Sequence, residues 1–133
     1  MSLETKEDRL SYGKEGEIAV KEYLESYGIK TYHNIVTAES GSKDFFDQVM
    51  SNMKNGDLHF LSLDNGRYFM RVDVKRGTLI SKKSLEMFRG QFFFLIPGGD
   101  LDNIENTRVI WRRTVVNYVS KATNNWSKNF KVR

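Results

Sequence analysis

The sequence predicts a mixed α/β domain, a central sheet flanked by helices on both faces, with an added strand and helix near the C-terminus. Three observations lead there. Helical and strand patterns follow one another in the order α, β, β, β, α, β, then β and α. Residues 91–96 (QFFFLI) are apolar at successive positions, as a strand covered on both faces must be. A single Pro in 133 residues offers no interdomain linker, so residues 1–133 read as one domain.

Residues 1–13 are polar and expected to fray. In 14–27, Val20, Tyr23, Leu24 and Tyr27 recur at i, i+3, i+4 and i+7, which predicts a helix that Gly28 stops. Residues 29–36 (IKTYHNIV), rich in β-branched and aromatic side chains, predict the first strand, and the polar stretch 37–43 a loop. A short helix is expected over 44–53. Strands over 57–63 and 68–75 flank Asp64-Asn65-Gly66, a hairpin signal. Ser81 is an N-cap candidate for a helix over 81–89 in which Leu85 and Phe88 lie three apart. Pro97-Gly98-Gly99-Asp100 ends the strand at 91–96, residues 108–111 predict a further strand, and 114–121 a helix with Val115, Val116 and Val119 on its apolar side.

Composition narrows the chemistry. An apolar share of 39% with 13% aromatics can bury a core without covalent staples. Without cysteine, thiol nucleophiles, disulfides and thiolate zinc sites are excluded, and with two histidines any metal is expected on oxygen ligands. No apolar run approaches the roughly 20 residues of a membrane span, and the N-terminus lacks a signal-peptide core, so a soluble cytoplasmic protein is expected. The net charge of +4 is uneven: residues 106–133 hold seven Lys/Arg and no acid, whereas the acids of the chain all lie before them. Such a cationic stretch points towards nucleic acid, although many charge runs are only solvated faces.

Alternation in the strand at 68–75 puts Phe69, Arg71, Asp73 and Lys75 on one face and Met70, Val72 and Val74 on the other. A three-residue loop at 64–66 with Gly66 in the left-handed region pairs Leu58 with Val72 and Phe60 with Met70 on the apolar side, and sets Asp57 opposite Asp73. Two aspartates and a lysine then converge. Opposed like charges destabilise a hairpin, and a divalent cation resolves the repulsion. Carboxylate pairs suit Mg²⁺ or Mn²⁺, and Lys75 is placed to orient an attacking water or to offset developing negative charge.

Gly56-Asp57, a hairpin, then Asp73-Val74-Lys75 resembles the PD-(D/E)XK nuclease superfamily, whose motif sets an acid at the start of the second strand and (D/E)-x-K at the end of the third. The family's αβββαβ core, the restriction-endonuclease-like fold, matches the predicted order over residues 14–97, with Gly56 where the family name has proline. The resemblance implies a glutamate on the first helix as a further metal ligand. Gly13-Lys14-Glu15-Gly16-Glu17 looks like that segment, and Glu17 lies at the edge of the apolar face while Glu15 points to solvent. Asp47 is a weaker substitute, His59 shares the face of Asp57, and His33 has no partner set visible in the sequence.

The family often places basic side chains near the reacting phosphate on the following helix; Lys82 and Lys83, with Arg76 and Arg89, are the candidates here. Arg112 and Arg113 join them from the basic C-terminal part, where Trp126 and Phe130 could stack on bases. The resemblance implies a Mg²⁺- or Mn²⁺-dependent endonuclease acting on DNA phosphodiesters. It looks closest to small Holliday-junction-resolvase-like nucleases, which implies a homodimer cutting branched DNA, with Glu17, Asp57 and Asp73 as metal ligands, Lys75 as the catalytic cation and no small-molecule cofactor. A restriction or repair nuclease is the nearest relative reading. A non-catalytic nucleic-acid-binding module on the same fold is the alternative.

Overall fold

The computed structural model describes residues 6–61, 69–121 and 129–131. Helix α1 (Lys6–Ser26) leads to β1 (Thr31–His33), α2 (Lys43–Asn55), β2 (Leu58–Leu61), β3 (Phe69–Lys75) and β4 (Leu79–Ser81). Helix α3 (Lys82–Met87), β5 (Phe92–Leu95), two 3₁₀ turns (Pro97–Gly99 and Leu101–Asn106), β6 (Arg108–Trp111), α4 (Arg112–Lys121) and β7 (Asn129–Lys131) follow. The sheet order is β1-β2-β3-β5-β6, with β3 and β5 parallel and the other neighbours antiparallel. Strands β4 and β7 form a separate antiparallel pair.

This is the expected mixed sheet with β5 inside it, and its two faces explain the run at 91–96. Phe94 and Ile96 join Val20, Leu58, Val72 and Val74 in one buried cluster beneath α1. Phe93 and Leu95 join Ile80, Leu85, Phe88 and Val115 in a second, against α3 and α4. A strand with both alternating sets buried has no position left for a polar side chain. The pairing of β2 with β3 is the predicted one, Leu58 opposite Val72 and Phe60 opposite Met70, although the turn residues Asp64, Asn65 and Gly66 lie outside the described residues.

Three expectations are corrected, and one pairing appears that none covered. Helix α1 begins at Lys6 and runs through the stretch expected to fray. Arg76 explains the extension: its guanidinium lies 3.8 Å from the centre of the Tyr12 ring and donates to Tyr12 O at 2.9 Å, binding the early turns to the sheet. Tyr27, assigned to the apolar face, is exposed, because the buried line of α1 runs through Gly16 and Val20 to the partly buried Leu24. The first strand keeps only Thr31–His33 of the expected 29–36. Finally, part of the basic C-terminal stretch forms β7 on β4, two strands that no local pattern announced. Trp126 lies outside the described residues, as does the side chain of Phe130.

Candidate active site

The site begins with a glycine. Gly56 ends α2 with φ of 91°, and a Cβ there would lie 2.6 Å from Val72 O and 2.8 Å from the Phe88 ring. Neither proline nor any residue with a side chain fits this close crossing of α2's end over β3. The turn delivers Asp57 beside β3. The Asp57 N–H donates to Val72 O at 2.8 Å, and the Val74 N–H donates to Asp57 Oδ2 at 2.7 Å. Asp57 thus replaces a backbone rung of the β2–β3 ladder with its own carboxyl group.

Asp57 and Asp73 are both buried, each at 6% exposure, at the neighbouring strands β2 and β3. Burial first, then the nearby charges of Asp73 and Glu17, push the Asp57 carboxyl well above the ordinary carboxylate range, against the lowering effect of the Val74 N–H. Burial and like charge thus favour the protonated form of Asp57. Asp73 Oδ2 lies 3.0 Å from Lys75 Nζ, and Lys75 in turn donates to Ser84 Oγ at 2.8 Å. Ser84 is fixed by Ser81, the N-cap of α3, whose Oγ accepts the Ser84 N–H at 3.0 Å. The lysine is consequently held between a carboxylate and a hydroxyl rather than free to sweep through solvent.

The expected third carboxylate stands apart from the pair. Glu17 acts on Asp57 through its charge, but its Oε1 is 2.8 Å from His33 Nε2, and both side chains are largely buried. Among the described residues, no three His, Asp or Glu side chains gather in metal-holding geometry. The donor chemistry of Asp57 and Asp73 nevertheless fits a hard divalent cation: paired oxygen ligands whose mutual repulsion such a charge relieves. His33, which had no partner in the sequence, and Ser84 are the residues that sequence reasoning missed. Ser84 carried a signal, its spacing of three from an N-cap serine; His33 carried none, since Glu17 is 16 positions away. His59 contacts Asn55 O at 3.3 Å, with its pKa lowered mainly by burial. Asp44 and Asp47 lie on α2 and are exposed.

The candidate phosphate-contacting cations fall into two groups. Arg76 donates to Gly99 O, Tyr12 O and Glu15 Oε2, and Arg112 donates to Leu85 O at 2.8 Å. These two stitch elements together. Lys82, Lys83, Arg89 and Arg113 are exposed; Lys82 lies 4.0 Å from Glu86 and Arg113 4.8 Å from the centre of the Trp111 ring. Burial, then the neighbouring Arg89, lowers the pKa of Arg112. No helix among the described residues is long and apolar enough to cross a membrane. In comparison with known proteins, the chain matches no family model, no curated protein and no solved structure.

Proposed function

We propose that the chain is a metal-dependent nuclease of the PD-(D/E)XK type that hydrolyses DNA phosphodiester bonds. The observation that carries this reading is the convergence of Asp57, Asp73 and Lys75 in a buried site. Apart from α2 and β4, the elements run α, β, β, β, α, β, and this order with the parallel pairing of β3 and β5 supports it, as both suit the restriction-endonuclease-like frame. Asp57 and Asp73 would hold Mg²⁺ or Mn²⁺, with Glu17 joining them on release from His33. Such an ion, when bound, polarises a phosphoryl oxygen and lowers the pKa of water.

The chain's own groups then have separate tasks. Asp57, anchored by the Val74 N–H, would offer its carboxyl group to the ion beside Asp73. Lys75, steadied by Asp73 and Ser84, orients the attacking water and offsets charge gathering on the phosphoryl oxygens. The exposed Lys82, Lys83, Arg89 and Arg113 hold the backbone of the substrate. A homodimer would set two such sites on the two strands of a branched DNA, in the manner of junction resolvases.

The test is cleavage of branched, duplex and single-stranded DNA by the purified protein with Mg²⁺ or Mn²⁺, with Asp73→Ala as control. Cleavage by the wild type alone is expected. The Glu17–His33 contact favours a second reading, a nucleic-acid-binding module without catalysis, in which that pair is structural. Salt-dependent binding that Asp73→Ala leaves intact, with no substrate cut by either protein, would establish the second reading in place of the first.

A further inference from the structure

Between α1, the loop after β1 and α2 lies a cleft of about 520 Å³. Ile35, Phe45 and Val49 are among its apolar walls, and Lys14, Glu17 and Asn52 among its polar ones. Two links join it to the carboxylate pair. Glu17 lines the cleft and acts on Asp57 through its charge. Asn52 Nδ2 donates to Asn34 O at 2.8 Å, and Asn34 Nδ2 donates to Gly56 O at 3.2 Å, one residue before Asp57. Its volume falls within the range of about 300–1,000 Å³ common for sites that enclose small organic groups.

We propose that this cleft receives an unpaired nucleobase from a strand whose backbone passes the Asp57–Asp73 pair. The proposal rests on the nuclease reading and narrows its substrate to DNA with unpaired nucleotides. A duplex shows its surroundings mainly sugar and phosphate and has no broad apolar face to lay against Ile35, Phe45 and Val49. A base has such a face, and offers it only when it is unpaired and unstacked. The polar members fit the rest of a nucleotide: Lys14 complements the adjoining phosphate, and Asn52 provides an amide for a base edge. A purely apolar guest would desolvate Lys14, Glu17 and Asn52 and give nothing back.

The test uses the full chain in EDTA, where cleavage plays no part. The probes are hexathymidylate carrying one 5-iodouracil, and a blunt duplex. Ultraviolet crosslinks from the iodouracil are expected within α1 or residues 35–53. Val49→Trp, which fills the cleft, and Lys14→Glu are each expected to weaken hexathymidylate binding about tenfold or more while leaving duplex binding unchanged. Lys14 is exposed, so its variant remains decisive if Val49→Trp does not fold. Crosslinks confined to residues 106–121, or wild-type affinity for hexathymidylate in folded Val49→Trp or in Lys14→Glu, would overturn the proposal. The two readings fail separately: cleft crosslinks without cleavage of any DNA remove the nuclease, whereas cleavage with Mg²⁺ and no cleft crosslink removes the base site.

Discussion

Asp57, immediately before β2, and Asp73, within β3, are both buried at these neighbouring strands, and burial with the charge of Asp73 raises the pKa of the Asp57 carboxyl well above its ordinary value. A pH dependence of stability follows from its raised pKa. The native state binds the Asp57 proton more tightly than the unfolded chain does, so unfolding releases it at any pH between the ordinary carboxylate value and the raised native one. Stability therefore falls as pH rises through that window, and below it both states are protonated and the effect is gone. Asp57→Asn keeps an oxygen for the Val74 N–H and removes the titration. Thermal melts in EDTA are expected to show a higher Tm than wild type at neutral pH, with the difference shrinking towards acid. A wild-type Tm that does not decline through the window relative to Asp57→Asn would count against the buried pair.

A divalent cation should reverse that penalty. Where Asp57 and Asp73 bind it in the native state only, stability rises with the logarithm of its concentration, by about 2.7 kcal/mol at a hundred times the dissociation constant. Melts with Mg²⁺ or Mn²⁺ are expected to shift upward in the wild type, to return on EDTA addition, and to be indifferent to the metal in Asp73→Asn. Equal shifts in both proteins would place the ion elsewhere.

Lys75 and Ser84 offer a graded test of the proposed catalytic role of the lysine. Ser84→Ala removes the hydroxyl that receives the Lys75 ammonium at 2.8 Å but leaves Asp73 beside it. Cleavage is expected to fall about tenfold in Ser84→Ala and by a factor of about 100 or more in Lys75→Met, with KM little changed, because the charge acts in the transition state. Equal losses in the two variants would mean that Ser84 does more than steady the lysine.

Gly56 is expected to tolerate no side chain. Gly56→Ala combines a φ of 91° with a Cβ 2.6 Å from Val72 O. The strain and the overpacking together are expected to cost about 3 kcal/mol, measured by urea unfolding. The proline that the family name carries at this position would meet the same obstacle.

Much of the frame was legible because it depends on local chemistry. The Ser81 N-cap, the both-faces-apolar run at 91–96 and the register of Leu58 with Val72 each follow from side chains near one another in sequence. What escaped was set at a distance. The helical state of residues 6–13 draws on Arg76, which stacks on Tyr12 and reaches Gly99 O, and the pairing of β4 with β7 sets Ile80 opposite Phe130 across a long stretch of chain. The site divides in the same way. Asp57, Asp73 and Lys75 lie on or beside strands whose register could be reasoned out, whereas Glu17 meets His33 through the docking of a helix whose orientation no periodicity specifies.

The cations themselves can be sorted by two measurements on one set of variants. Arg76 is largely buried and gives up its three hydrogen-bonded partners and the Tyr12 ring on substitution, so Arg76→Met is expected to lose about 2 kcal/mol of stability. Gln at Lys82, Lys83, Arg89 and Arg113, all exposed, is expected to leave the Tm nearly unchanged. If those four side chains meet phosphates, the combined variant flattens the plot of log affinity against log salt by about 0.9 for each phosphate no longer neutralised. Point substitutions are the right instrument here, since cutting the chain after Lys121 would also strip β7 from β4 and confound charge with stability. A salt slope unaltered by all four changes would make them ordinary solvated charges and remove them from the proposed phosphate contacts.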